Sequence, residues 1–151
     1  MLEAKENIEA TKFEPRIVAF YCGLAAGADT VLHINCPANI NIIKVPCSYR
    51  VNPLLVLGAF RKGADGVLLC GCRPEDCQHV GNGYYTRRRM NLFLSMLEYL
   101  GIGARRFRIE LVSADNGKRF TEIMEAFVEQ IAALGENVVS GDLRCENKIT
   151  P

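Results

Sequence analysis

Tryptophan is absent from the 151 residues, and there are only two histidines. An excess of either charge is missing too: 18 lysines and arginines stand against 17 acidic residues, a formal net charge of +1. A dedicated nucleic-acid binder normally carries a strong basic excess, so that class is set aside. No apolar run reaches the ~18 residues that span a bilayer. The opening residues, MLEAKENIEATKFEP, lack the apolar segment of a secretory signal, which predicts a cytoplasmic protein. Neither G-x-G-x-x-G after the first strand nor G-x-x-x-x-G-K followed by Ser or Thr occurs, so nucleotide binding has no motif behind it. No paired cysteine–histidine constellation argues for a hydrolase. Internal repeats, low-complexity stretches and a linker between domains are also missing, and the length suits one domain with a sizeable core.

Cysteine, by contrast, is abundant, with seven residues. Disulfides are disfavoured in a reducing compartment, and an odd number cannot all pair within one chain. Metal ligation or thiol chemistry explains them better, provided that the fold brings them together.

Short apolar runs bounded by turn residues predict four buried parallel strands, over 16–21 (RIVAFY), 40–46 (INIIKVP), 66–69 (GVLL) and 107–112 (FRIELV). Between them lie helical patterns. Asn52-Pro53 reads as an N-cap with proline in the first turn of a helix that stops at Gly63. A second helix is expected over 84–100, with Met90, Phe93, Leu94, Leu97 and Leu100 on one face and Gly101 as its stop. A third is expected over 117–134, with Phe120, Ile123, Met124, Phe127, Ile131 and Leu134 inward and Gly135 closing it. Residues 25–32 read as a possible short helix. This alternation predicts an α/β domain, a small flavodoxin-like parallel sheet of about four strands with flanking helices. The expected organisation is a flexible arm over 1–14, the α/β domain over 15–135 and an irregular tail over 136–151.

Cys22, Cys47 and Cys72 each fall at the end of a predicted strand, and both intervals are 25 residues. Parallel strands share one carboxyl edge, where open α/β sheets bind ligands. A C-x4-C turn from Cys72 to Cys77 folds a fourth thiol over that edge. Four cysteines suit zinc or an iron–sulfur cluster, and the lack of close-paired C-x2-C units favours the cluster. Cys70 reads as plain core or as a further ligand, and Cys36 and Cys145 as incidental. His79, close after Cys77, reads as a hydrogen-bonded surface residue or as a ligand. Cys72 and Cys77 also permit a third reading, a thiol–disulfide pair. The Arg87-Arg88-Arg89 run reads as a solvated face or as a dock for an acidic partner.

The stretches IIKVPCSYRVNPLLVLGAFRKGADGVLL, GCRPEDC, GNGYYTRRRMNLFLSMLEYLGI and FRIELVSADNGKRFTEI carry a specific resemblance. Their V-x-C-S-x-R-V-x-P, G-A-D-G-V and G-C-x-P-x-D-C patterns resemble the delta subunit of methyl-viologen-reducing hydrogenase, over roughly residues 15–135. The resemblance implies an electron carrier rather than a catalyst, holding a [2Fe–2S] cluster. It implies relay between a second redox enzyme and a flavin-containing, heterodisulfide-reductase-like subunit. That second enzyme would be a hydrogenase, a formate dehydrogenase, a methylenetetrahydrofolate reductase or a benzoyl-CoA reductase module. Cys22, Cys47, Cys72 and Cys77 match the family's motif cysteines. The chain departs from the family's C-C-x-x-C segment, with Tyr21 and Ala25 in place of two cysteines, and carries Tyr49 where glycine is usual. These departures motivate an alternative reading, a cluster-free structural adaptor of the same redox complex.

Overall fold

The computed structural model describes residues 12–24, 36–79, 81–112 and 117–139. The helix expected over 25–32, the substituted position Ala25, and Cys145 lie outside the described residues. Four strands, β1 (Ile17–Cys22), β2 (Ile40–Val45), β3 (Gly66–Cys72) and β4 (Phe107–Val112), form one sheet in the order β2-β1-β3-β4. Every pairing is parallel, with Cys22 opposite Val45, Tyr21 opposite Cys70 and Cys72 opposite Val112. This is the start of the flavodoxin-like strand order, whose direction of winding reverses between β1 and β3.

Three helices are described, α1 (Pro53–Arg61), α2 (Asn82–Tyr99) and α3 (Gly117–Leu134). Asn52 caps α1 as its sequence implies, its side chain accepting from the Leu55 amide at 3.0 Å. Gly101 and Gly135 follow α2 and α3 at a φ of 76°, where a Cβ would be strained. Val56 and Phe60 of α1 and Met90, Phe93 and Leu97 of α2 pack with Phe20, Val67 and Leu69 on one sheet face. On the other face Phe120, Met124, Phe127 and Ile131 of α3 cover Ile17, Ala19, Tyr21 and Leu68. Burying both faces is what makes the strands read as near-continuous apolar runs.

The strand ends differ from the sequence reading at one informative place. Cys70-Gly71-Cys72 was expected to follow β3, but β3 continues through it. Pairing with Leu111 and Val112 of β4 extends the ladder across a segment whose glycine would otherwise mark a turn. Helix α2 begins two residues before the expected Tyr84.

The amino edge of the sheet is closed by a polar network. Asp65 is buried. One carboxylate oxygen accepts from the Arg16 amide at 2.9 Å and the other from the Asn137 amide at 2.9 Å. Arg106, also buried, donates to the carbonyls of Asp65 (3.1 Å), Gly135 (2.8 Å) and Glu136 (3.1 Å). Its cation therefore sits at the carboxyl end of α3, where the helix dipole favours it.

Candidate functional site

The winding reverses between β1 and β3, and at the carboxyl edge each of those strands ends on a cysteine. Cys22 and Cys72 are both buried, and the Cys72 thiol donates to the Cys22 sulfur at 3.4 Å. Tetrahedral thiolate ligands about 2.3 Å from one metal lie roughly 3.8 Å apart, so this pair is already near the spacing of two ligands on one centre. Cys47 stands two residues beyond β2 and leads into the 3-10 turn Ser48–Arg50. Cys77 closes the C-x4-C loop, half-buried, with its thiol donating to the His79 carbonyl at 3.1 Å.

Close backbone approaches fix the strand ends. A Cβ on Gly71 would stand 3.1 Å from Ser48 Oγ, so the glycine lets the turn after Cys47 lie against β3 beside Cys72. A Cβ on Gly23 would meet Lys44 Cε at 2.8 Å and the Val45 carbonyl at 3.1 Å, while the Gly23 amide donates to that carbonyl at 2.7 Å. β1 and β2 thus stay paired one step past Cys22.

Electrostatics tie the four thiols together. Burial is the main cause that pushes the Cys72 thiol up to about 12, followed by its hydrogen bond with Cys22 and the charges of Cys22, Cys77 and Cys47. Burial also raises the Tyr21 hydroxyl to about 12, with help from Cys70, Cys72 and Cys22. The raised Cys72 thiol stays protonated unaided, but a bound cation reverses that balance and expels the proton. Cys70 takes the core position, packed under α3 and raised by burial and by Glu110, against the pull of Arg108.

As the side chains stand, no three His, Cys, Asp or Glu among the described residues are gathered closely enough to hold a metal ion. Two of the four sequence-predicted ligands, Cys22 and Cys72, are in contact. Cys47 and Cys77 stand on loops around them, near enough to act on the Cys72 charge. The donor set fits a thiophilic group, and closing it requires Cys77 to leave the His79 carbonyl. The thiol-pair reading joined Cys72 to Cys77, but Cys72 meets Cys22 instead.

Arg89 was missed. The sequence reading grouped it with Arg87 and Arg88, which are exposed, but its guanidinium turns inward. Nη2 donates to the carbonyls of Tyr49 (2.8 Å) and Val51 (2.7 Å), and the group lies 5.1 Å from the Tyr49 ring centre. It thereby pins the turn that follows Cys47. The available signal was helical spacing: Arg89 lies three residues after the buried Thr86 and four before the buried Phe93.

A parallel α/β layer with thiols converging at its switch point defines a class of small redox or metal-binding domain. Comparison with known proteins narrows it. Residues 17–135 match the family model described as methyl-viologen-reducing hydrogenase, delta subunit, and the chain belongs to that family. It is 40% identical over 130 residues to the vhc iron-sulfur subunit of the F420-non-reducing hydrogenase of Methanococcus voltae, covering 83% of this chain and 90% of that one. It is 36% identical over 128 residues to the iron-sulfur subunit of the F420-non-reducing hydrogenase of Archaeoglobus profundus, covering 82% and 93%. A third relative is a subunit of the ferredoxin/F(420)H(2)-dependent CoB-CoM heterodisulfide reductase of Methanosarcina acetivorans. Identity there is 36% over 125 residues, covering 80% of this chain but only 16% of that much longer protein. No helix among the described residues is long and apolar enough to cross a membrane.

Proposed function

We propose that this chain is a cytoplasmic electron-transfer subunit whose domain over 15–135 holds a [2Fe–2S] cluster through Cys22, Cys47, Cys72 and Cys77. It would relay electrons between a partner oxidoreductase and a flavin-containing, heterodisulfide-reductase-like subunit. The observation that carries the reading is the Cys22–Cys72 sulfur pair at 3.4 Å at the switch point, with Cys47 and Cys77 within electrostatic reach. The names of the relatives, hydrogenase iron-sulfur subunits together with part of a heterodisulfide reductase, support it.

When bound, the cluster supplies one-electron transfer without proton chemistry of its own. The chain's part is to hold and shield it. Cys22 and Cys72, on strand ends, give two ligands on rigid elements, and Cys47 and Cys77 give two on loops that close over them. Tyr21 and Phe120, ring against ring at 5.2 Å, keep water from the α3 side. Each thiol surrenders a proton as the group binds.

Anaerobic reconstitution followed by iron and acid-labile sulfide analysis tests this. About two irons per chain and a [2Fe–2S] electron paramagnetic resonance signal on reduction are expected. Protein that stays colourless and free of iron after reconstitution rejects the cluster. The cluster-free adaptor is the second reading, favoured by the Cys77 thiol bonding away to His79. It requires the complex to assemble and transfer electrons unimpaired when Cys72 is serine.

A further inference from the structure

The outer surfaces of the two helical layers differ in kind. Helix α3 turns Lys118, Arg119, Glu122, Glu125 and Glu129 outward, the composition of a solvated face. Helix α2 turns out Tyr84, Tyr85, Arg88, Leu92, Met96 and Tyr99. Their spacing puts them on one arc, opposite the buried Thr86, Met90, Phe93 and Leu97. Leu92 is 74% exposed and Tyr99 90%. The stripe runs for about 22 Å along the helix. Protein interfaces are enriched in Tyr, Met and Arg and depleted in Lys, Glu and Asp. Five of the six are of the enriched types, the sixth is Leu92, and the exposed Ser95 also lies on the arc, which carries no Lys, Glu or Asp.

Charge identifies what fits there. Arg87 and Arg88 line a surface cavity of about 680 Å³ with Tyr84, Asn91 and Leu92. Among the described residues neither has a carboxylate within ion-pair distance. They stand in the second turn of a helix whose first turn has no acidic residue to offset their charge. A carboxylate from outside would relieve both conditions. A second copy of this chain does not supply one along its own stripe. The one acidic residue of α2, Glu98, already accepts from the Ala104 amide at 2.6 Å.

We propose that the outer face of α2 is the docking surface for a different protein, one presenting apolar residues bordered by carboxylates that enter the Arg87–Arg88 cavity. The helix begins five residues after Cys77, so a partner seated on it lies beside the thiol edge. Only that placement rests on the electron-transfer reading; the docking surface itself does not.

The test replaces Leu92, or Glu125 on α3, with photocrosslinking p-benzoylphenylalanine in the full chain within its native complex, and identifies the crosslinked peptides. Position 92 should join a different protein at a peptide carrying Asp or Glu near the crosslink, with at least tenfold higher yield than position 125. Arg87→Glu with Arg88→Glu should cut the yield at 92 about tenfold, while the double lysine variant retains most of it. Iron content measured in the same variants should be unchanged, which separates loss of docking from loss of the cluster. The proposal is overturned by crosslinks to a second copy or to this chain's own ends. Equal yields at 92 and 125, no crosslink at 92, or indifference to charge reversal would overturn it as well.

Discussion

The two edges of one sheet are finished in opposite ways. At the amino edge polar groups are paired within the chain. Both carboxylate oxygens of Asp65 accept backbone amides, and Arg106 gathers the carbonyls at the end of α3. At the carboxyl edge the reactive groups are thiols collected beside one another. Cys72 has another thiol for its partner, Cys77 turns to a carbonyl, and Gly71 and Gly23 let Ser48 and Lys44 approach the strand ends closely. The same two strands, β1 and β3, connect both. A buried charge stabilises only when all its partners are present. A binding site must instead keep its donors available for something outside the chain. One edge therefore serves stability and the other serves chemistry, and substitutions should separate the two.

The largest effect is expected at the carboxyl edge. Cys72→Ser should bring iron per chain after reconstitution from about two to near zero, while the urea midpoint of the metal-free protein moves little. At the amino edge, Arg106→Met leaves the Asp65 main-chain carbonyl and the last carbonyls of α3 without a donor. A loss of about 3 kcal/mol is expected by urea unfolding, because several buried carbonyls lose a charged donor at once, with iron per folded molecule unchanged. If Arg106→Met strips iron from protein that is still folded, the two edges are coupled and the contrast fails. Gly71→Ala comes next, because it forces a Cβ toward Ser48 Oγ. Roughly 1–2 kcal/mol is expected, most of it recovered when Ser48→Ala is added, since the next atom then lies at an ordinary 3.5 Å. Additive losses in that double variant would mean that the close approach is not the cause.

What the sequence made legible follows from which interactions are local. The strands and helices were readable because burial on both faces writes apolar runs, and because Asn52, Gly101 and Gly135 mark ends by local backbone chemistry. The convergence of Cys22 with Cys72 was readable from position alone, since parallel strands end together. The continuation of β3 through Cys72 was not, because β4 creates it by pairing from about forty residues away. The Asp65–Arg106–Asn137 network spans up to 72 residues and leaves no periodic trace. The direction of the Cys77 thiol depends on a loop carbonyl two residues on, which no spacing rule describes. The arginine run misled for a related reason: three identical neighbours on a helix point in three directions, and only one of them faces the protein.

That inward arginine sets the smallest effect, and it tests whether the carboxyl edge is held from outside its own loops. Arg89 reaches 38 and 40 residues back along the chain to the carbonyls of Val51 and Tyr49, on either side of Arg50, and lies over the Tyr49 ring. A planar guanidinium can do both at once, whereas a lysine ammonium is a point charge on a shorter reach. Arg89→Lys should therefore loosen the turn Ser48–Arg50 at a cost of about 1 kcal/mol, leaving the helix itself intact. Cys47, only 8% exposed, opens that turn. Its alkylation in the metal-free protein should quicken severalfold, while that of Cys22, held by strand pairing, stays the same. A uniform rise at both thiols would point to general unfolding, and no change at Cys47 would reduce Arg89 to a surface cap. A selective rise would show that α2 controls the order of the loop carrying Cys47, so that one of the two loop-borne thiols at this edge is set by a helix outside it.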